Sequence, residues 1–406
     1  MVKVDPHNFK GKWDNWKSKG QKLEGLNSVN RKLVIQYLDD MELGHNINPS
    51  SKKGARSYGR LYNQKTKVLN LFILIQTHVK SNVKKLTEKD LLLFFKLMRD
   101  GKIMSPKYKR PYKDVGTYTK AFKTIWHWHM RSQRKNGVTI PDITAELDTK
   151  TAKPSFHYFT DKDLQQMCNK ATFDYKVLMM FLFDSGIRAP TELMNMKVSD
   201  LSFNEKDGYY VLHIRDEVSK TFGRKIKLLL CSQILKEYIQ NKKLKNNDYI
   251  FNGFYKNYNR TLSRLGYKVL GMGKTVERKS SKDSVRVTSG ITMYDFRHSS
   301  ACYWVMRYKS ESALKYRFGW KRSEMIHYYT ELLGMKDTIE ETDQYVDVTK
   351  TELEKEITRI KNDYAIKEEN FNARFEKQDL LIAENKRMME IMNILLKEKD
   401  KFNQKV

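Results

Sequence analysis

The chain has little of what a secreted or membrane protein needs. Its three cysteines, Cys168, Cys231 and Cys302, are far apart and odd in number. No disulfide framework or zinc knuckle fits them, so buried thiols in a reducing compartment are expected. The longest purely apolar run is the seven residues Val177 to Phe183. A spanning helix needs about 20 such residues, so none is expected. No charged-then-apolar leader opens the sequence, which argues against secretion. Acidic residues are also scarce: 48 Asp and Glu stand against 77 Lys and Arg, giving a net charge of +29. Such an excess favours a polyanionic partner. With 40% hydrophobic and 12% aromatic residues the chain is globular rather than a disordered basic tail. Its 406 residues allow two or three domains, each with its own core.

The charge is unevenly placed. Residues 351–406 carry 12 acidic and 12 basic side chains, so the entire excess lies in residues 1–350. DNA, RNA and an anionic membrane surface all fit a basic body. The membrane is the weaker match, because the basic residues are interleaved with strand and helix patterns rather than gathered on one amphipathic helix.

Residues 1–58 read as a basic arm, partly ordered, with Trp13 and Trp16 as apolar anchors and a helix over Arg31 to Met41. Residues 60–148 read as a small all-helical domain. Helical spacing of Val68, Leu69, Leu71, Phe72 and Ile75 predicts one helix over Thr66 to Lys80. Thr87 with Asp90 resembles a capping box opening Leu91 to Arg99, and Gly101 ends it. Thr117 to Arg134 predicts another helix after the basic loop Lys107 to Lys113. Residues 155–345 read as a mixed α+β unit, mostly helical. Thr160 and Asp163 form a second capping-box pattern, and Tyr175 to Phe183 a very apolar helix. Tyr209 to Arg215 and Arg224 to Leu230 read as a hairpin. Helices are predicted over Ser232 to Lys242, Tyr294 to Tyr308 and Ser323 to Leu333, and Gly271 to Gly290 as a mobile loop. The fold class is thus mainly α with a small β-sheet.

Residues 350–406 form the last unit. From Glu352 to Lys399 there is no Gly or Pro. Leu353, Ile357, Ile360, Tyr364 and Phe371 follow one heptad register. A shift of four at Phe375 starts a second through Ile382, Met389, Met392 and Leu396. This is a long helix, either associating between chains through 352–399 or folded back on its own body.

Several stretches carry chemistry. In Asp184-Ser-Gly-Ile-Arg-Ala-Pro-Thr-Glu-Leu193 an apolar helix ends, turns, and presents Arg188 at the start of the next helix. Its guanidinium is suited to a phosphate, or to a structural pair with Glu192. Tyr294-Asp-Phe-Arg-His-Ser299 places Arg297 and His298 near a helix opening. Phe318-Gly-Trp320 follows, and nine residues beyond Trp320 comes Tyr329. Lys107, Lys109, Arg110 and Lys113 sit on a loop feeding a helix, which suits phosphate contacts. Other motifs fail. Gly273-Lys274-Thr275 ends like a P-loop, but position 268 is Lys where that pattern needs Gly. His127 and His129 are two apart and face different sides of a helix, so no metal site is expected. Trp126 and Trp128 read as core or DNA-facing.

Taken together and in this order, these elements resemble the tyrosine recombinase (phage integrase) family, over roughly residues 60–345. Ser185-Gly186-Ile187-Arg188 and Glu192-Leu193 match its first box, with one extra residue before Glu192. Ser219-Lys220-Thr221 between two strands matches its hairpin lysine. Tyr294-x-x-Arg297-His298 matches its second box with Tyr in place of the first His. Gly319-Trp320 and Tyr329 complete the set. The resemblance implies a helical core-binding domain and a catalytic domain clamping opposite faces of duplex DNA, and a mobile element or virus of archaea or bacteria as the source.

The implied chemistry uses no cofactor or metal. Arg188 and Arg297 would bind the phosphodiester's non-bridging oxygens. Tyr329 would attack to give a 3′-phosphotyrosine, and Lys220 would protonate the leaving 5′ oxygen. His298 and Trp320 would assist by hydrogen bonding and packing. Tyr294 can donate to phosphate but cannot match imidazole as a base, so either another group takes the proton of Tyr329 or the reaction slows. The resemblance further implies a tetramer on two DNA sites and action in the cytoplasm, on the nucleoid or on viral DNA. A type IB topoisomerase and a catalytically silent architectural DNA-binding protein are the alternatives.

Overall fold

The computed structural model describes residues 5–45, 48, 53–106, 108–151, 156–277, 285–308 and 310–333. The tail assigned to 350–406, with its association segment 352–399, lies outside the described residues, as does Lys107. Among the described residues there are twelve α-helices and five short strands.

Five helices share the first core: α1 (Phe9–Ser18), α2 (Ser28–Leu43), α3 (Tyr58–His78), α4 (Glu88–Arg99) and α5 (Val115–Lys135). Residues 9–43 are folded into this core, where the sequence reading expected a partly ordered arm. Trp13, Trp16, Leu33 and Leu38 bury against the same cluster as Phe72, Phe95, Phe122 and Trp128. Removing large aromatic area from water is what holds α1 and α2 down. The helix ends are written in the sequence: Thr87 and Asp90 make the expected capping box on α4, and Gly44 closes α2 at φ 80°. Trp126 and Trp128 are core residues, each with its indole N–H bonded, to the Pro141 carbonyl and to Asp40.

The second core is built around α7 (Phe173–Ser185), apolar around its whole circumference. A helix of that kind has to be covered on every side. It packs against α6 (Asp161–Asn169), α8 (Ser232–Asn241), α10 (Met293–Val305) and the sheet. Strands β1 (Leu201–Asn204), β2 (Tyr209–Ile214) and β3 (Arg224–Leu228) form an antiparallel sheet in the order β1-β2-β3. Leu212 pairs with Ile226, and the strand period of two sends Arg224, Ile226 and Leu228 inward together.

α9 (Tyr255–Leu270) was not anticipated; only Leu262 and Gly266 of it are buried. The stretch read as a mobile loop contains a second hairpin, β4 (Lys274–Glu277) with β5 (Val285–Thr288). α11 (Glu311–Phe318) and α12 (Glu324–Leu332) complete the fold and pack with α10 around a smaller cluster of Trp304, Leu314, Phe318, Trp320 and Tyr329.

Candidate active site

The first box is a helix stop followed by a turn. α7 ends at Ser185, and Gly186 continues at φ 58°, a left-handed conformation in which its N–H still bonds the Leu182 carbonyl. Arg188 does not begin a helix. Residues 188–192 form a turn closed by Glu192 N–H to the Arg188 carbonyl at 2.8 Å, leading to a single 3-10 turn at Leu193–Asn195. Pro190 explains the difference, since the residue before a proline is driven out of helical geometry. Arg188 pairs with Glu192 at 3.3 Å, and it also lines a cavity. Its other Nη donates to the Gly319 carbonyl at 2.7 Å. Burial, then the nearby Arg224 charge, lowers its pKa against the pull of Glu192.

Glu192 is itself held from below by Arg224, in two bonds of 2.8 and 3.1 Å. Burial alone would raise the Glu192 pKa, but the hydrogen bonds and charge of Arg224 outweigh it and the carboxyl stays ionised. Arg224 also donates from Nε to the Arg317 carbonyl at 2.9 Å. Thr221 of the hairpin turn donates to the Gly319 carbonyl at 2.9 Å. These bonds tie the turn carrying Lys220 to the segment carrying Gly319 and Trp320. Lys220 is exposed and faces the same cavity.

α10 supplies three residues with different exposures. Tyr294 is half exposed, whereas Arg297 and His298 are buried. Arg297 donates to the Gly186 carbonyl at 2.5 Å and the Phe318 carbonyl at 2.7 Å. Burial first, and the Arg188 charge second, bring its pKa down to about 9, so it stays cationic at neutral pH. Tyr329 is 1% exposed. Its ring stacks on Trp320, which stacks in turn on Phe318. Its hydroxyl lies 2.7 Å from His298 Nδ1. Burial pushes the phenol pKa up, with Arg297 opposing.

Arg188, Lys220, Tyr294, Arg297, Trp320 and Tyr329 line one cavity of about 550 Å³. His298 stands behind its wall, reached through Tyr329. Two residues of the site escaped the sequence reading. Arg224 sits in a strand whose alternation of buried and exposed positions marks it as inward, but a basic strand residue reads as surface. His7 also lines the cavity, with Nδ1 3.0 Å from the Tyr255 hydroxyl; no local signal links positions so far apart.

The basic loop is elsewhere. Lys109, Arg110 and Lys113 are exposed, and Arg110 lies 5.0 Å over the Tyr108 ring. Arg110 and Lys113 line a separate groove of about 710 Å³ with Lys67, Asn70 and Thr117. His127 is bonded to Asp142 at 3.1 Å and His129 is buried. Among the described residues no group of His, Cys, Asp and Glu is arranged to hold a metal, and no helix is long and apolar enough to cross a membrane.

Residues 158–334 match the model of the phage integrase family. No curated protein sequence matches the chain. Among solved structures, the chain is similar to the XerH site-specific recombinase bound to difH substrate in a pre-cleavage complex, at 14% identity over 70% of this chain and 80% of that one, with a TM-score of 0.44. It is similar to a lambda integrase dimer bound to a COC′ core site, at 16% identity, 76% and 79% coverage and a TM-score of 0.48. For the Tn1549 transposon integrase in complex with transposon right end DNA the figures are 14%, 75%, 94% and 0.49. The matched segment holds the boxes, the hairpin lysine and the final tyrosine, so that residues 158–334 are similar to the phage integrase family.

Proposed function

We propose that this recombinase cleaves and rejoins double-stranded DNA with Tyr329 as nucleophile. The observation that carries this reading is the convergence of two guanidinium groups, one exposed ammonium and one phenol on a single cavity. The Arg188 charge lies close enough to lower the pKa of Arg297, so a phosphodiester between them relieves that repulsion. As Tyr329 Oη bonds to phosphorus, the P–O5′ bond breaks and Lys220 gives a proton to the leaving oxygen. The 3′-phosphotyrosine keeps the phosphodiester's energy, so rejoining needs no ATP or metal. Trp320 fixes the phenol ring by stacking, and Tyr294 donates a hydrogen bond to phosphate. An inactive architectural role is not favoured, because apart from Tyr294 and the extra residue before Glu192 the set is complete.

Lys109, Arg110 and Lys113, together with Lys107, contact the DNA backbone away from the cavity. Binding then weakens steeply with salt, roughly 10³-fold or more between 50 and 200 mM. The chain works as a tetramer on two sites, and 352–399 adds contacts between chains; removing 350–406 lowers the number of chains per sedimenting particle if so, and leaves that number unchanged if not. The site of action is cytoplasmic DNA, cellular or of a mobile element.

A duplex nicked beside the cleavage site, whose short 5′ product diffuses away, tests the central reading. A covalent protein–DNA band with the full chain and none with Tyr329→Phe supports it. A band that persists in Tyr329→Phe removes it.

A further inference from the structure

Cleavage requires a group to take the proton of Tyr329, and the phenol at position 294 is a poor candidate. The Tyr294 ring is half exposed and stands edge-on to His298, 4.5 Å between centroids. His298 Nδ1, by contrast, is 2.7 Å from the Tyr329 hydroxyl. We propose, on the reading that Tyr329 is the nucleophile, that His298 is the general base for its attack.

The geometry is built rather than incidental. The imidazole stacks face to face on Phe156, 4.2 Å between centroids and 16° between planes, and α10 fixes its backbone. His298 is 2% and Tyr329 1% exposed, so water does not compete for the proton between them. A phenol O–H is a stronger acid than an imidazole N–H, and an imidazole nitrogen a stronger acceptor than a phenol oxygen. The phenol therefore donates and Nδ1 accepts. Burial first, with Arg297 adding and Asp295 opposing, brings its pKa down to about 4, so the free ring is neutral at neutral pH with a nitrogen lone pair open to the phenol. Nε2 has no hydrogen-bond partner among the described residues. Asp295 offsets part of the charge of an imidazolium. The anionic phosphodiester on Arg188 and Arg297 adds to that compensation, which couples proton transfer to bound DNA.

The balance closes. In cleavage the Tyr329 proton moves to Nδ1 as the Oη–P bond forms, the P–O5′ bond breaks, and the 5′ oxygen takes a proton from Lys220. In rejoining the 5′ hydroxyl returns that proton to Lys220 and attacks, and the imidazolium re-protonates Tyr329.

The test uses the full chain and two nicked duplexes, one with the ordinary 5′ oxygen and one with a bridging 5′ sulfur at the scissile phosphate. The sulfur leaves without protonation. His298→Asn keeps an acceptor beside the phenol but cannot take the proton, so adduct formation falls about 10²- to 10⁴-fold on both duplexes. Lys220→Ala falls on the oxygen duplex and recovers on the sulfur one. A His298→Asn rate within about 3-fold of the parent overturns the proposal, as does recovery on sulfur, which would put His298 at the leaving group. If His298→Asn does not fold, 3-fluorotyrosine at 329 in the otherwise unchanged chain decides. With a protein base the rate changes by less than about 3-fold, and a rise in step with the phenol's acidity overturns it. An adduct surviving Tyr329→Phe fails the nucleophile assignment itself and is read separately.

Discussion

Glu192 and Arg224 meet beneath the cavity in a two-pronged ion pair, Oε2–Nη2 2.8 Å and Oε1–Nη1 3.1 Å, with side chains only 1% and 0% exposed. Glu192 reaches Arg188, and Arg224 reaches the Arg317 carbonyl, so the pair joins the first box to the turn before Trp320. Arg224→Lys keeps the charge but loses the fork. Adduct formation should fall about 10- to 100-fold, the loss of one or two charged hydrogen bonds. Arg224→Met leaves a buried carboxylate unpaired and should cost about 3–5 kcal/mol of stability in urea unfolding. Full activity in Arg224→Lys contradicts this placement.

Gly186 has two reasons to be glycine. Its φ is +58°, and a Cβ there would collide with the Phe318 ring and come within 2.9 Å of Ser300 Oγ. Its carbonyl also accepts from Arg297. Gly186→Ala should lower stability by roughly 2–4 kcal/mol, backbone strain and overpacking adding. Adduct formation should fall with it, because Arg297 loses its fixed acceptor. Unfolding midpoints and single-turnover rates check both.

Acid should destabilise the fold through two histidines. Burial holds His129, aided by Lys84, and His298 each down to about 4. Unfolded histidines titrate near 6.5. Between those values the unfolded chain binds protons that the folded chain refuses. Stability is therefore complete above about 6.5 and is lost as pH falls toward 4. The urea midpoint should be lower at pH 5 than at pH 7.5, and His129→Gln should flatten the slope between them. A slope unchanged in that variant contradicts the assignment.

Much of this was legible because local rules and the fold agree. The capping boxes at Thr87 and Thr160 start α4 and α6. The apolar run at 177–183 marks the central helix, and of the two neighbouring tyrosines Tyr329, the one the resemblance points to, is the one that lines the cavity. What was not legible depends on partners distant in sequence. Arg224 is buried only because Glu192 and the Arg317 carbonyl receive it. The hydrogen bond from Tyr329 to His298 spans 31 positions. α9 stayed hidden because so few of its residues are buried, and the β4–β5 hairpin because its Gly, Ser and Lys content reads as a loop. The turn at Arg188 was missed where Pro190 overrode helical periodicity.

The most direct measurement is the identity of the residue carrying DNA. The covalent adduct trapped on the nicked duplex is digested with protease and nuclease, and the modified peptide is sequenced by mass spectrometry. A 3′-linked nucleotide on Tyr329 is the expected result. A nucleotide on Tyr328 or any other side chain, or a 5′ linkage, would contradict the account.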